Sequence, residues 1–132
     1  MSAQLVQNMK GIIGVINTPF THNDDIDVES LHRYVEHSIS CGVVGFLCLG
    51  MAAEINNLSV ADKETIVHTV VDQVNSRVPV IANITSASQE ERLRNAHKYK
   101  DLGADGLMLS LVCDDEDQYL KQVEEIDKLS PG

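Results

Sequence analysis

The chain has 132 residues, 43% hydrophobic and 23% charged, the composition of one globular domain. It carries 20 Asp+Glu against 10 Lys+Arg, a formal net charge of −10. So acidic a surface repels phosphate backbones and anionic bilayers, which argues against a nucleic acid or a membrane as partner.

From the N-terminus, residues 1–10 contain no long apolar core of the kind a signal peptide needs. Ile12 to Asn17 is a short β-branched run that predicts a first strand, ended by Thr18-Pro19 because proline cannot donate to a ladder. After the polar turn His22–Asp25, Asp27 caps a predicted helix. Its apolar stripe is Val28, Leu31, Tyr34, Val35 and Ile39, and Gly42 follows as the stop. Val43 to Leu49 is the second strand, broken by Gly50. Ser59, with Asp62 three residues on, signs the start of a second helix striped by Ile66, Val67, Val70, Val71 and Val74. Arg77-Val78-Pro79 turns into a third strand, Val80 to Ile84. Ser88 with Glu91 predicts a capping box on a third helix, which ends at Gly103. Gly106 to Val112 reads as a fourth strand, and Tyr119 to Leu129 as a fourth helix with Leu120, Val123, Ile126 and Leu129 on one side.

The pattern is βα four times over, in one unit spanning residues 1–132. Strands without period-two alternation are covered on both faces, as in parallel sheets. A doubly wound open sheet and half of a (β/α)8 barrel both fit this spacing, since a whole barrel needs about 250 residues.

Motifs narrow the function. No G-x-G-x-x-G or G-x-x-x-x-G-K-[ST] loop occurs, which leaves nucleotide binding without support. None of the five histidines, His22, His32, His37, His68 and His97, stands four residues from another, and no metal site is expected. The acidic run Asp114–Asp117 is explained by a helix N-terminus that favours negative charge. Cys41, Cys48 and Cys113 are odd in number with no C-x-x-C spacing, the usage of free thiols in a reducing cytoplasm. The remaining candidate is Gly50-Met51-Ala52-Ala53-Glu54, between the second strand and its helix. In parallel α/β folds chemistry sits at that end of the strands. Backbone N–H groups freed there can hold a carboxylate, and small residues let a ligand approach them. A plain βα turn is the competing reading.

In order along the chain stand Thr18-Pro19-Phe20, Ile26-Asp27, Gly42-Val43, Gly50 and Glu54, Leu58-Ser59, Arg77-Val78-Pro79-Val80-Ile81-Ala82 and Gly103-Ala104-Asp105. Together these resemble the N-terminal half of the dihydrodipicolinate synthase / N-acetylneuraminate lyase family of pyruvate-dependent class I aldolases. The resemblance implies the first half of a (β/α)8 TIM barrel and a homo-oligomer. It implies no cofactor, because pyruvate or a related 2-oxo acid forms an imine with a lysine on the sixth strand, and a fifth-strand tyrosine relays protons. It also implies a substrate-binding set of Thr18, Gly50, Met51, Ala52, Ala53 and Glu54. The family's loop reads G-T-T-G-E, so Gly50 and Glu54 match and Met51, Ala52 and Ala53 do not. No hydroxyl is left for the relay, and losing one aligned donor of that sort costs about 3–4 kcal/mol in a transition state.

The Schiff-base lysine and the relay tyrosine have no counterparts here, so no catalytic residue is assigned. This polypeptide alone is expected to be inactive and to be a piece of a longer protein, or else to self-associate over its open edges. The alternative is a non-catalytic (βα)4 module that binds a small carboxylate or mediates assembly.

Overall fold

The structure, a computed structural model, describes residues 9–110 and 115–128. Four βα units follow in order: β1 Ile13–Val15, α1 Val28–Ser40, β2 Gly45–Cys48, α2 Val60–Val74, β3 Val80–Asn83, α3 Gln89–Asp101, β4 Gly106–Met108 and α4 Glu116–Asp127. All three strand pairings are parallel and the order is β1-β2-β3-β4. Each strand lies beside the one before it, as in a barrel. The flavodoxin-like order, 2-1-3-4-5, is thereby excluded.

Register separates two faces. Gly14 pairs with Phe46, Phe46 with Val80 and Cys48 with Ala82, and the side chains of Phe46, Val80, Cys48 and Ala82 are buried. With Ile16 and Ile84 they form the core against Leu31 and Val35 of α1 and Ile66, Val67 and Val70 of α2. Burying a side chain of this size contributes about 1.5–3 kcal/mol. The opposite row runs Val15↔Leu47↔Ile81↔Gly106. Here Ile13 is 40% and Val15 38% exposed, and Leu47 and Ile81 are only half-buried. In a closed barrel this row points inward; among the described residues it is an apolar face without a cover, with β1 and β4 at the edges of the sheet.

The caps explain the helix starts. The Asp27 carboxylate accepts from the Ser30 N–H at 2.9 Å. Ser59 and Asp62 form the complete reciprocal box. At α3 only half of the expected box exists. Ser88 accepts from the Glu91 N–H, but the Glu91 carboxylate is taken by the Ser86 hydroxyl. Helix α4 begins three residues before Tyr119, because the Asp115 side chain accepts from the Asp117 N–H and caps it earlier. Of the stripe expected on α4, Ile126 is buried while Leu120 is half exposed; Leu129 lies outside the described residues, as does the end of the fourth strand expected at Leu111 and Val112.

Candidate functional site

The Gly50–Glu54 segment lies at the C-terminal end of β2, beside the turns that follow β1 and β3. Leu49 leaves the strand with φ 61° while fully buried. A left-handed backbone at a bulky L residue costs on the order of 1–3 kcal/mol and persists only where its surroundings hold it. Gly50 is buried and extended, and a Cβ there would stand 3.0 Å from Val15 Cγ1, so the loop passes close over β1. Met51–Ala53 forms a single 3-10 turn, Glu54 is left-handed at φ 56°, and Ile55–Asn57 forms a second turn before Ser59 caps α2. The ladder of the first turn starts with the Ala53 N–H donating to Gly50 O, 3.0 Å. The N–H groups of Met51 and Ala52 precede that ladder.

Two side chains, one from the turn after β1 and one from β3, hold the loop at its ends. Thr18 Oγ1 donates to Ala53 O at 2.8 Å. Asn83 Nδ2 donates to Leu49 O at 2.9 Å. Asn83 Oδ1 in turn accepts from the Thr85 N–H, and Thr85 Oγ1 accepts from the Ser110 N–H, both at 2.9 Å. The contiguous residues Gly50, Met51, Ala52, Ala53 and Glu54 thus lie beside Thr18, whose hydroxyl reaches Ala53. Asn83 was not among the residues singled out from the sequence. Its signal was present: one polar residue inside the apolar run Val80–Ile84, at the C-terminal end of a parallel strand.

The chemistry of the loop is spare. Met51 is 92% exposed and the small Ala53 is fully buried. Glu54 is the loop's one charged residue and accepts from Asn57 Nδ2 at 3.3 Å. The only donors available to an anion at residues 50–53 are backbone N–H groups, which are suited to a carboxylate. Burial pushes the Cys48 thiol, below the loop, up to about 12, which keeps it neutral and unreactive. Burial, then the charges of Glu64 and Glu91, hold the Tyr99 phenol at about 12. The Tyr34 hydroxyl donates to Val15 O at 3.1 Å. The lysines Lys63, Lys98, Lys100 and Lys121 lie on helices, Lys128 caps α4, and Lys10 precedes β1 at the opposite end from the loop. None stands at the C-terminal end of a strand.

Among the described residues no group of three or more His, Cys, Asp or Glu could hold a metal ion, and no helix is long and apolar enough to cross a membrane.

Known proteins share this fold. The 4-hydroxy-tetrahydrodipicolinate synthase of Geobacter metallireducens is 41% identical over 100 residues, covering 76% of this chain and 34% of the relative. That of Geobacter sulfurreducens is 40% identical with the same coverage. A crystal structure of a dihydrodipicolinate synthase superposes with a TM-score of 0.86 at 28% identity, covering 92% of this chain and 43% of that one. A prophage protein of E. coli K12 from the dihydrodipicolinic acid synthase family, solved in complex with pyruvate, gives a TM-score of 0.85 at 23% identity. This chain spans about a third of the length of the curated relatives it matches. The sequence model of the Dihydrodipicolinate synthetase family matches residues 8–112, four-fifths of the chain and all four strands, and the chain belongs to that family.

Proposed function

We propose that this chain forms the first half of the 2-oxo acid site of a Schiff-base aldolase or lyase. The loop Gly50–Glu54 holds the carboxylate of pyruvate or a close relative through the N–H groups of Met51 and Ala52. The lysine that forms the imine, and the tyrosine that relays protons, come from the part of the relatives' length that this chain does not span. Residues 1–132 are inactive without it. The observation that carries this reading is the loop itself: it is fastened to the turn after β1 by Thr18 and to β3 by Asn83 at the C-terminal end of the strands, and it offers backbone donors alone. The pyruvate complex of the E. coli family member supports pyruvate as ligand.

Further βα units of the relatives' kind cover the face of Ile13, Val15, Leu47 and Ile81 and close the edges of β1 and β4. Assembly into a homo-oligomer follows the family. The free thiols Cys41 and Cys48 suit a reducing cytoplasm.

A second reading is a carboxylate-binding module without catalysis. Met51 and Ala52 favour it, because neither supplies a hydroxyl to move a proton. Titration with pyruvate and 2-oxobutyrate, followed by amide chemical shifts, tests the site that both readings share. Shifts concentrated at residues 50–54 are expected; a loop that does not respond to either acid contradicts them.

A further inference from the structure

The β3 side chains are apolar but for one. Asn83 is 8% exposed, and strand alternation puts it on the face of Ile81, toward the barrel interior. Both ends of its amide are engaged, Nδ2 with Leu49 O and Oδ1 with the Thr85 N–H. Leu49 is the residue whose φ of 61° turns the chain out of β2 and into the loop. A conformation that an L residue rarely adopts needs an external hold, and the Asn83 amide reaches the carbonyl of that residue directly.

We propose that Asn83 is a positioning residue that fixes the Gly50–Glu54 loop by clamping the left-handed Leu49 carbonyl. Through Thr85 and Ser110 the clamp joins the C-terminal ends of β2, β3 and β4. It matters more here than in a loop bearing hydroxyls. With Met51, Ala52 and Ala53 in place, backbone geometry alone aligns the donors, and no side chain can compensate for a displaced turn. What the loop holds rests on the carboxylate reading above; the clamp does not.

The test is hydrogen exchange on the full chain for the native protein, Asn83→Asp and Asn83→Ala. Aspartate keeps the shape and the acceptor for Thr85 but replaces the donor with an oxygen facing Leu49 O. Leaving that buried acceptor unpaired is expected to speed exchange at the Ala53 and Glu54 amides, which donate to Gly50 O and Met51 O, by roughly tenfold. The amides of Ile66, Val67 and Val70 in α2 should change by less than about twofold. Asn83→Ala adds no charge and supplies the same comparison if the aspartate variant does not fold. Loop protection that is unchanged, or acceleration that is equal in loop and α2, overturns the clamp. A parallel pyruvate titration separates the two claims. Weaker binding in the variants supports the clamp. Equal binding in native protein and variants overturns its role in the site. A native chain that binds no pyruvate sinks the carboxylate reading and leaves the clamp to the exchange result.

Discussion

The Thr18 hydroxyl donates to the carbonyl of Ala53 at 2.8 Å, tying the turn after β1 to the loop after β2 across 35 residues of sequence. The Thr-Pro-Phe segment therefore does more than end a strand. Replacing Thr18 by valine keeps the shape and removes the bond. The expected loss is about 0.5–1.5 kcal/mol of stability, measured by urea denaturation, with a weaker response to pyruvate at residues 50–54. A valine variant as stable and as responsive as the native chain would show that the tether is idle.

The Arg77 guanidinium grips the Glu36 carboxylate across the seam between α1 and α2, with Gln73 Nε2 on the same carboxylate at 2.6 Å. The Arg77 and Gln73 hydrogen bonds pull Glu36 down to about 2 from an ordinary 4.5. A carboxyl depressed on folding contributes stability above its unfolded value and loses it as pH falls toward the folded value. Melting temperatures of native protein and Glu36→Gln should therefore differ at pH 6 and converge as pH falls from about 4.5 toward 2. Because the pair is solvent-exposed, the difference is small and shrinks with added salt. A gap that widens on acidification would contradict this.

The two serine caps are unequal in their surroundings. Ser59 sits in a complete box with Asp62, whereas the Glu91 carboxylate opposite Ser88 is committed to Ser86. Ser59→Ala should cost about 1 kcal/mol and Ser88→Ala less, since the Ser59 hydroxyl also serves the Asp62 carboxylate at 2.6 Å. Denaturant midpoints of the two variants decide it, and a larger loss at Ser88 would reverse the account.

Phe46 and Val15 lie on opposite faces of neighbouring strands. Phe46 is fully buried among the helices, and Phe46→Ala should cost about 3–5 kcal/mol. Val15 is 38% exposed on the uncovered face, and Val15→Ser in this chain alone should cost well under ~1.5 kcal/mol. Comparable losses would mean that the inward row is already covered by a second copy, which sedimentation would then reveal.

Much of the architecture was legible because short-range chemistry fixes it. Asp27, Ser59 and Ser88 each have a side chain that the helix start needs, and Gly42 takes a φ of 88° just beyond the end of α1. The four apolar runs became the four strands, though shorter than the runs themselves. Features that depend on residues far apart were not legible. Ser86 outcompetes Ser88 for Glu91 only once the β3–α3 turn has folded. Nothing in the string Cys48-Leu49-Gly50 says that Leu49, rather than the glycine, takes the left-handed turn. The side chain that meets the carbonyl of that turn, Asn83, stands 34 residues away. The family pattern located the loop, and packing revealed what holds it.

As proposed above, this chain supplies the carboxylate loop and not the imine lysine. Borohydride trapping with labelled pyruvate tests it, on the 132-residue chain alone and on the chain joined to the remaining segment of the Geobacter metallireducens synthase. The expected result is no label on the chain alone and one label per joined protein, on a lysine of the added segment. A stoichiometric adduct on Lys10, Lys63, Lys98, Lys100, Lys121 or Lys128 of this chain, or none in a folded joined protein, would contradict it.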